Sequence, residues 1–294
     1  MKLLAFTPKN LSQSGERRYR IGAMVDSTQI ADLTPSILPI GLNAAEILRC
    51  YDLDTNFVEQ AMNAIDGGLL PLIDPGDLKI EAPVPRPGKV ICIGLNYRNH
   101  AIESGMDIPK SPIIFSKFQT CVVGPGDPIR IPIGSEKVDY EAELAVVIGR
   151  RASKVKASEA MDYVFGYMNF NDVSARDFQF ADGQWQRGKS CDTFAPMGPF
   201  IATRDEIADP HKLRICFRLN GETLQDSTTA ELIFGVPELI EFLSANITLE
   251  PGDVIATGTP PGVGFARKPP VFMKDGDIAE VEIEGLGILS NPVA

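Results

Sequence analysis

Asp139-Tyr140-Glu141-Ala142-Glu143-Leu144-Ala145-Val146-Val147-Ile148-Gly149 sets the character of the chain. Its apolar run is short, rich in β-branched residues and closed by glycine, which is the pattern of a buried strand rather than a helix. Val90-Ile91-Cys92-Ile93-Gly94 and Asp253-Val254-Ile255-Ala256-Thr257-Gly258 repeat it. Arg214 to Glu222 alternates in part and contains Asn220-Gly221, a strong hairpin signal. Ala279-Glu280-Val281-Glu282-Ile283-Glu284 alternates with period two and reads as a half-exposed strand. Helical stretches are fewer: 157–164, and 236–245, where Pro237 suits a first helical turn. The expected fold class is α+β and β-rich.

Upstream the texture differs. Residues 1–80 read as a small α/β domain: strand-like pieces at 19–25 and 29–33 flank the turn Asp26-Ser27, and apolar residues recur at helical spacing from Asn43 to Ala64. Glu81-Ala82-Pro83-Val84-Pro85-Arg86-Pro87-Gly88 then disfavours both helix and central strand. This places a domain boundary at 80/81, with a larger β-rich domain over 81–294.

Composition narrows the function. The 294 residues carry 28 Lys and Arg against 39 Asp and Glu, a net charge of −11. Such a surface repels phosphate backbones and anionic lipid, so neither nucleic acid nor membrane is an expected partner. No apolar run reaches the roughly 18–20 residues of a membrane span. The apolar start Met1-Lys2-Leu3-Leu4-Ala5-Phe6 stops at Thr7-Pro8-Lys9, too soon for a signal peptide, and a cytoplasmic location is expected. Five scattered cysteines without C-x-x-C argue against a disulfide framework or a thiolate zinc site. With only His100 and His211 available, a bound metal must rely on carboxylates.

Glu141 and Glu143 lie two apart on a strand and therefore share a face. Like charges so close need a cation or a proton between them, although an exposed edge strand would also tolerate them, and E-x-E alone favours that plainer reading. Asp172, at the end of the strand-like segment Gly166 to Asn171, adds a third carboxylate; its ordinary alternative is a cap or turn. The three together suit Mg²⁺ or Mn²⁺, with Ca²⁺ possible. His100 and Glu103 are three apart, on one side of a helical turn, where a carboxylate would raise and orient the imidazole as a general base; an exposed histidine with an incidental neighbour fits that spacing equally well. Gly183-Gln184-Trp185-Gln186-Arg187-Gly188-Lys189-Ser190 matches the phosphate-loop string letter for letter. It lacks the preceding buried strand and the following helix, so nucleotide binding is rejected. Lys189 remains a candidate to steady a carboxylate or enolate, or else an ordinary surface lysine. Thr257-Gly258-Thr259-Pro260-Pro261-Gly262 is a ligand-approaching loop or a tight turn.

Taken in order, these segments resemble the fumarylacetoacetate hydrolase family. The resemblance runs through Ile91 to Tyr97 with His100 and Glu103, Asp139 to Leu144, Asn171 to Asp177, Gly188-Lys189-Ser190 with Asp192 and Phe194, and Thr257 to Gly264. Asn220-Gly221 and Lys268 to Phe272 are similar to members with an extra N-terminal domain. The resemblance implies a mixed β-roll or barrel-like fold, a homodimer, and Mg²⁺ or Mn²⁺ on Glu141, Glu143 and Asp172. It further implies His100 with Glu103 as base on a lid-forming segment, and substrate contacts from Gln179, Lys189 and Thr259. Leu95 stands where some small acylpyruvate-cleaving relatives carry a basic residue. The implied substrate is a small dicarbonyl acid. The first expectation is hydrolysis of an acylpyruvate-like C–C bond through a metal enolate. The second is oxaloacetate tautomerisation or decarboxylation on the same enolate, and the third is a non-catalytic metabolite-binding protein.

Overall fold

The computed structural model describes residues 1–10, 19–34, 55–181 and 183–294. Among them, twelve strands form one sheet. Its path runs Leu72–Ile73, Ile30–Asp32, Arg20–Met24, Lys2–Pro8, Ala195–Thr203, Val164–Asn171, Ala142–Ile148, Val254–Ala256, Val90–Gly94 and Ile113–Lys117. Neighbours along this path are antiparallel except Val254–Ala256 against Val90–Gly94. A second sheet has the order Glu222–Thr228, Arg214–Leu219, Ile278–Ile283, Ile288–Pro292. The fold is β-rich α+β, as the apolar runs required.

Ala142–Ile148 and Val164–Asn171 are buried along their whole length. This explains why neither alternates: both faces of these strands are covered, so no position is left for solvent-facing polar residues. Tyr140, just ahead of this pair, stacks on Phe217 of the second sheet with centroids 4.1 Å apart. Asn169 donates from Nδ2 to the Leu286 and Gly287 carbonyls, at 2.9 and 3.1 Å. The hairpin expected at Asn220-Gly221 is present, with both residues at positive φ (52° and 82°) as a two-residue turn of this hand requires.

Lys2 pairs with Ala202 and Leu3 with Ile201. Strands on either side of 82–89, a segment without helix or strand, therefore belong to one sheet, and one apolar core extends through both. The helical spacing read over 43–64 is realised as Thr55–Asp66. Positions 43–54, with Cys50, lie outside the described residues. Among those described, four cysteines are free and no helix is long and apolar enough to cross a membrane.

Candidate metal and substrate site

The acids meet because of strand register. Ala142 pairs with Asn171 and Asp139 with Ser174, so the segments carrying Glu141 and Asp172 run side by side at the end of the sheet. Two bonds hold them there: the Asp172 amide donates to the Glu141 carbonyl at 2.9 Å, and the Glu141 amide donates to Asn171 Oδ1 at 3.1 Å. Oxygens of Glu141, Glu143 and Asp172, all buried, lie within 4.8 Å of one another.

Three buried cations face them. Lys189 Nζ bridges Glu141 Oε2 at 2.7 Å and Asp172 Oδ2 at 3.0 Å. Lys117 Nζ donates to Asp172 Oδ1, and to the Val173 carbonyl at 2.9 Å. Arg176 spans Asp139 (Nε to Oδ2, 2.8 Å) and Glu141 (Nη2 to Oε1, 2.6 Å). Glu143 accepts only from a neutral donor, the Gly258 amide at 2.8 Å. Gly258 sits at φ 106°, a conformation that L side chains rarely adopt, and an added Cβ would come within 2.7 Å of Asn96 Cβ.

This division sets the electrostatics. Burial works to raise the Glu141 carboxyl, but Lys189 and Arg176 outweigh it and hold the group at about 2. Glu143 goes the other way: burial, then the charges of Asp172 and Glu141, push it well above the usual carboxylate range. A dication relieves that crowding. Metal–oxygen distances of about 2.0–2.6 Å let one ion reach oxygens up to roughly 5 Å apart, so the cluster fits a divalent metal and could bind one.

The lysine of the phosphate-loop look-alike is thus not a surface residue. Gln186–Lys189 is a single helical turn packed against the helix Arg176–Ala181. A Cβ on Gly188 would stand 2.5 Å from the Gln179 amide nitrogen and 2.7 Å from the Ala175 carbonyl. The glycine serves this close packing, which delivers Lys189 to the acids.

A cavity of about 290 Å³ opens over the cluster, and Glu141, Glu143, Lys189, His100, Gln179 and Thr259 all line it. Gln179 and Thr259 are turned into donors. Gln179 Oε1 accepts from Arg176 Nη1 at 2.9 Å, which leaves the amide N–H groups for a ligand. Thr259 Oγ1 accepts from Gln225 Nε2 at 2.9 Å, which leaves the hydroxyl hydrogen.

His100 and Glu103 share the helix Arg98–Glu103, yet no hydrogen bond joins them. Glu103 Oε2 accepts from the Gly262 amide at 2.8 Å, while His100 Nδ1 is buried without a partner. The imidazole was expected to be raised by Glu103. It is instead lowered to about 4, because burial disfavours the cation and the nearby Glu141 charge recovers only part of that loss.

Lys117, Arg176, Asp139 and Gln225 were not singled out from the sequence. Lys117 follows Ile113-Ile114-Phe115-Ser116 in a strand and pairs 55 positions away, so nothing local announces its partner. Arg176 and Asp139 stood inside motif segments already quoted, which was the available signal.

The model of the fumarylacetoacetate (FAA) hydrolase C-terminal family matches residues 89–294. The chain belongs to that family. An oxaloacetate tautomerase of Bos taurus, named as mitochondrial, is 51% identical over 226 residues, covering 76% of this chain and 72% of its own. A fumarylacetoacetate hydrolase from psychrophilic Exiguobacterium antarcticum superposes with a TM-score of 0.83 at 36% identity, covering 100% of this chain and 99% of its own. A maleylpyruvate hydrolase from Sphingobium sp. SYK-6, in complex with manganese(II) and pyruvate, has a TM-score of 0.80 at 31% identity and the same coverages. The family is one of enzymes. The cytoplasmic expectation is corrected by the tautomerase relative, whose name places it in mitochondria.

Proposed function

We propose that this chain is a divalent-metal-dependent keto–enol tautomerase of a small 2-oxo acid, with oxaloacetate as substrate. One observation carries the choice between chemistries. The groups that stabilise an enolate are assembled, whereas the pair that would activate water for C–C hydrolysis is not: Glu103 is held by Gly262 and His100 Nδ1 has no partner. Tautomerisation needs no attacking water. The relative named as an oxaloacetate tautomerase, at 51% identity, supports the same reading.

Glu141, Glu143 and Asp172 would hold Mg²⁺ or Mn²⁺, which supplies Lewis-acid polarisation of the 2-oxo group. The chain's own residues do the rest. Lys189, the Gln179 amide and the Thr259 hydroxyl bind the substrate's carboxylate and the oxygen that becomes anionic. His100, whose imidazole lines the cavity and is kept neutral by burial, would take a proton from C3 while the C2 oxygen gains one, and return it in the reverse direction. Lys117 and Arg176 fix Asp172 and Glu141 in place, and Lys189 with Arg176 holds Glu141 ionised.

The test is the decay of enol-oxaloacetate, followed by ultraviolet absorbance with Mn²⁺ and with EDTA. Metal-dependent acceleration that disappears in Asp172→Asn is expected; no acceleration by the metal-loaded protein overturns the proposal. A second reading, hydrolysis of an acylpyruvate, is favoured by the likeness to the maleylpyruvate hydrolase. It requires Glu103 to leave Gly262 for His100, and cleavage products from an acylpyruvate panel would establish it. Pyruvate released from oxaloacetate would mark decarboxylation instead.

A further inference from the structure

The proposed oxaloacetate reaction employs the polar lining of the cavity and gives its aromatic lining no task. Two edge-to-face aromatic pairs line the same space. Phe115 and Trp185 have centroids 5.5 Å apart at 73°, and Phe180 and Phe265 are 5.7 Å apart at 69°. Leu95 and Met106 complete this wall. Each pair is tied to the polar end by a cation: Lys189 Nζ lies 5.0 Å from the Phe115 centroid, and Arg176 lies 4.5 Å from that of Phe265. Among the described residues, Lys189 and Arg176 are the permanently charged cations of the lining, and both are already bonded to carboxylates. An apolar or aromatic group there buries its surface against rings that already adopt the geometry aromatic rings prefer.

Trp185 is placed with evident steric care. Gly94 faces it so closely that a Cβ would stand 2.6 Å from the indole. Trp185, inside the string that matches the phosphate loop, is therefore a built wall of the cavity.

We propose that the site also tautomerises 2-oxo acids bearing an aryl group on C3, with the aryl ring held between the Phe115–Trp185 and Phe180–Phe265 pairs. The step is an isomerisation: the enol O–H bond breaks, a C3–H bond forms and the C2 oxygen becomes a ketone, with no co-reactant. This inference rests on the tautomerase reading and extends it to a substrate class.

Phenylpyruvate is the probe, used with the full Mn²⁺-loaded chain. Loss of its enol absorbance is expected to accelerate at least about a hundredfold over buffer. Trp185 is the chain's single tryptophan, so binding should also quench intrinsic fluorescence saturably, independent of turnover. In Trp185→Ala, the ratio of kcat/KM for phenylpyruvate to that for oxaloacetate should fall about tenfold. Phe180→Ala, at the exposed lip, should lower it in the same direction and serves if the first variant fails to fold. If oxaloacetate is turned over while phenylpyruvate is inert and does not quench, the aryl site is refuted and the tautomerase stands. If phenylpyruvate alone is turned over, the aryl site stands and the oxaloacetate assignment falls. If neither reacts, both fall. An unchanged ratio in the folded variants also refutes the wall.

Discussion

Two described strands carry E-x-E, and the two have opposite fates. Glu280-Val281-Glu282 lies in Ile278–Ile283, whose residues alternate between buried and partly exposed. Arg218 answers both acids there, with Nε 3.1 Å from Glu280 and Nη1 2.6 Å from Glu282, and the carboxylates are 26% and 40% exposed. Glu141-Ala142-Glu143 opens a strand buried on both faces and meets Lys189, Arg176 and a third acid, Asp172. The letters are the same; the flanks differ. Alternation leaves one face to water, where a single arginine suffices. The unbroken run Leu144 to Ile148 removes water, so each carboxylate must find a cation, an amide or a proton. Two like-charged acids become a site only when the strand that carries them has no wet face.

The sharpest way to break this comparison is metal affinity. Glu141→Gln or Asp172→Asn should weaken Mn²⁺ binding by calorimetry at least about a hundredfold, since even residues behind a ligand commonly account for 10–100-fold. Glu282→Gln should bind Mn²⁺ like the parent. Equal losses at the two pairs would dissolve the distinction.

Stability separates them next. Arg176→Met strands Asp139 and Glu141 in the interior and should cost about 3–5 kcal/mol in urea unfolding of the metal-free protein. Arg218→Met should cost under about 1 kcal/mol, because its partners regain water. A large effect at Arg218 would mean that the second sheet depends on its ion pairs more than their exposure allows.

The smallest effect is the response to salt. A double-mutant cycle on Arg218 and Glu282 should shrink between 0.1 and 1 M NaCl, where the Debye length falls from about 10 to 3 Å. The cycle on Lys189 and Asp172, both at 2% exposure or less, should hold its value.

Much of this was legible in the residues. The apolar runs gave three strands of the central sheet, Asn220-Gly221 the hairpin, and Glu141, Glu143, Lys189, Gln179 and Thr259 do converge on one cavity, with Asp172 in the acid cluster beneath it. What escaped depends on partners distant in sequence. Lys117 is an ordinary strand lysine until Asp172 is folded beside it. The same holds for the expected imidazole–carboxylate pair: three-residue spacing puts His100 and Glu103 on one helix, but the Gly262 amide, 159 positions from Glu103, takes the carboxylate. Trp185 carried no signal of its own within the phosphate-loop string, because only the folded chain brings Gly94 against it.

Asn96 joins the two rims of the cavity. Its Nδ2 donates to the Thr257 carbonyl at 2.7 Å and to the Phe234 carbonyl at 3.0 Å, and its Oδ1 accepts from the Phe234 amide at 2.9 Å. One amide thus clasps the loop carrying Leu95 to the loop leading to Thr259. Those bonds tie together segments 138 and 161 positions apart in sequence, so one buried side chain fixes how the two loops sit. Position 96 therefore sets the spacing of the cavity's rims without being part of its lining.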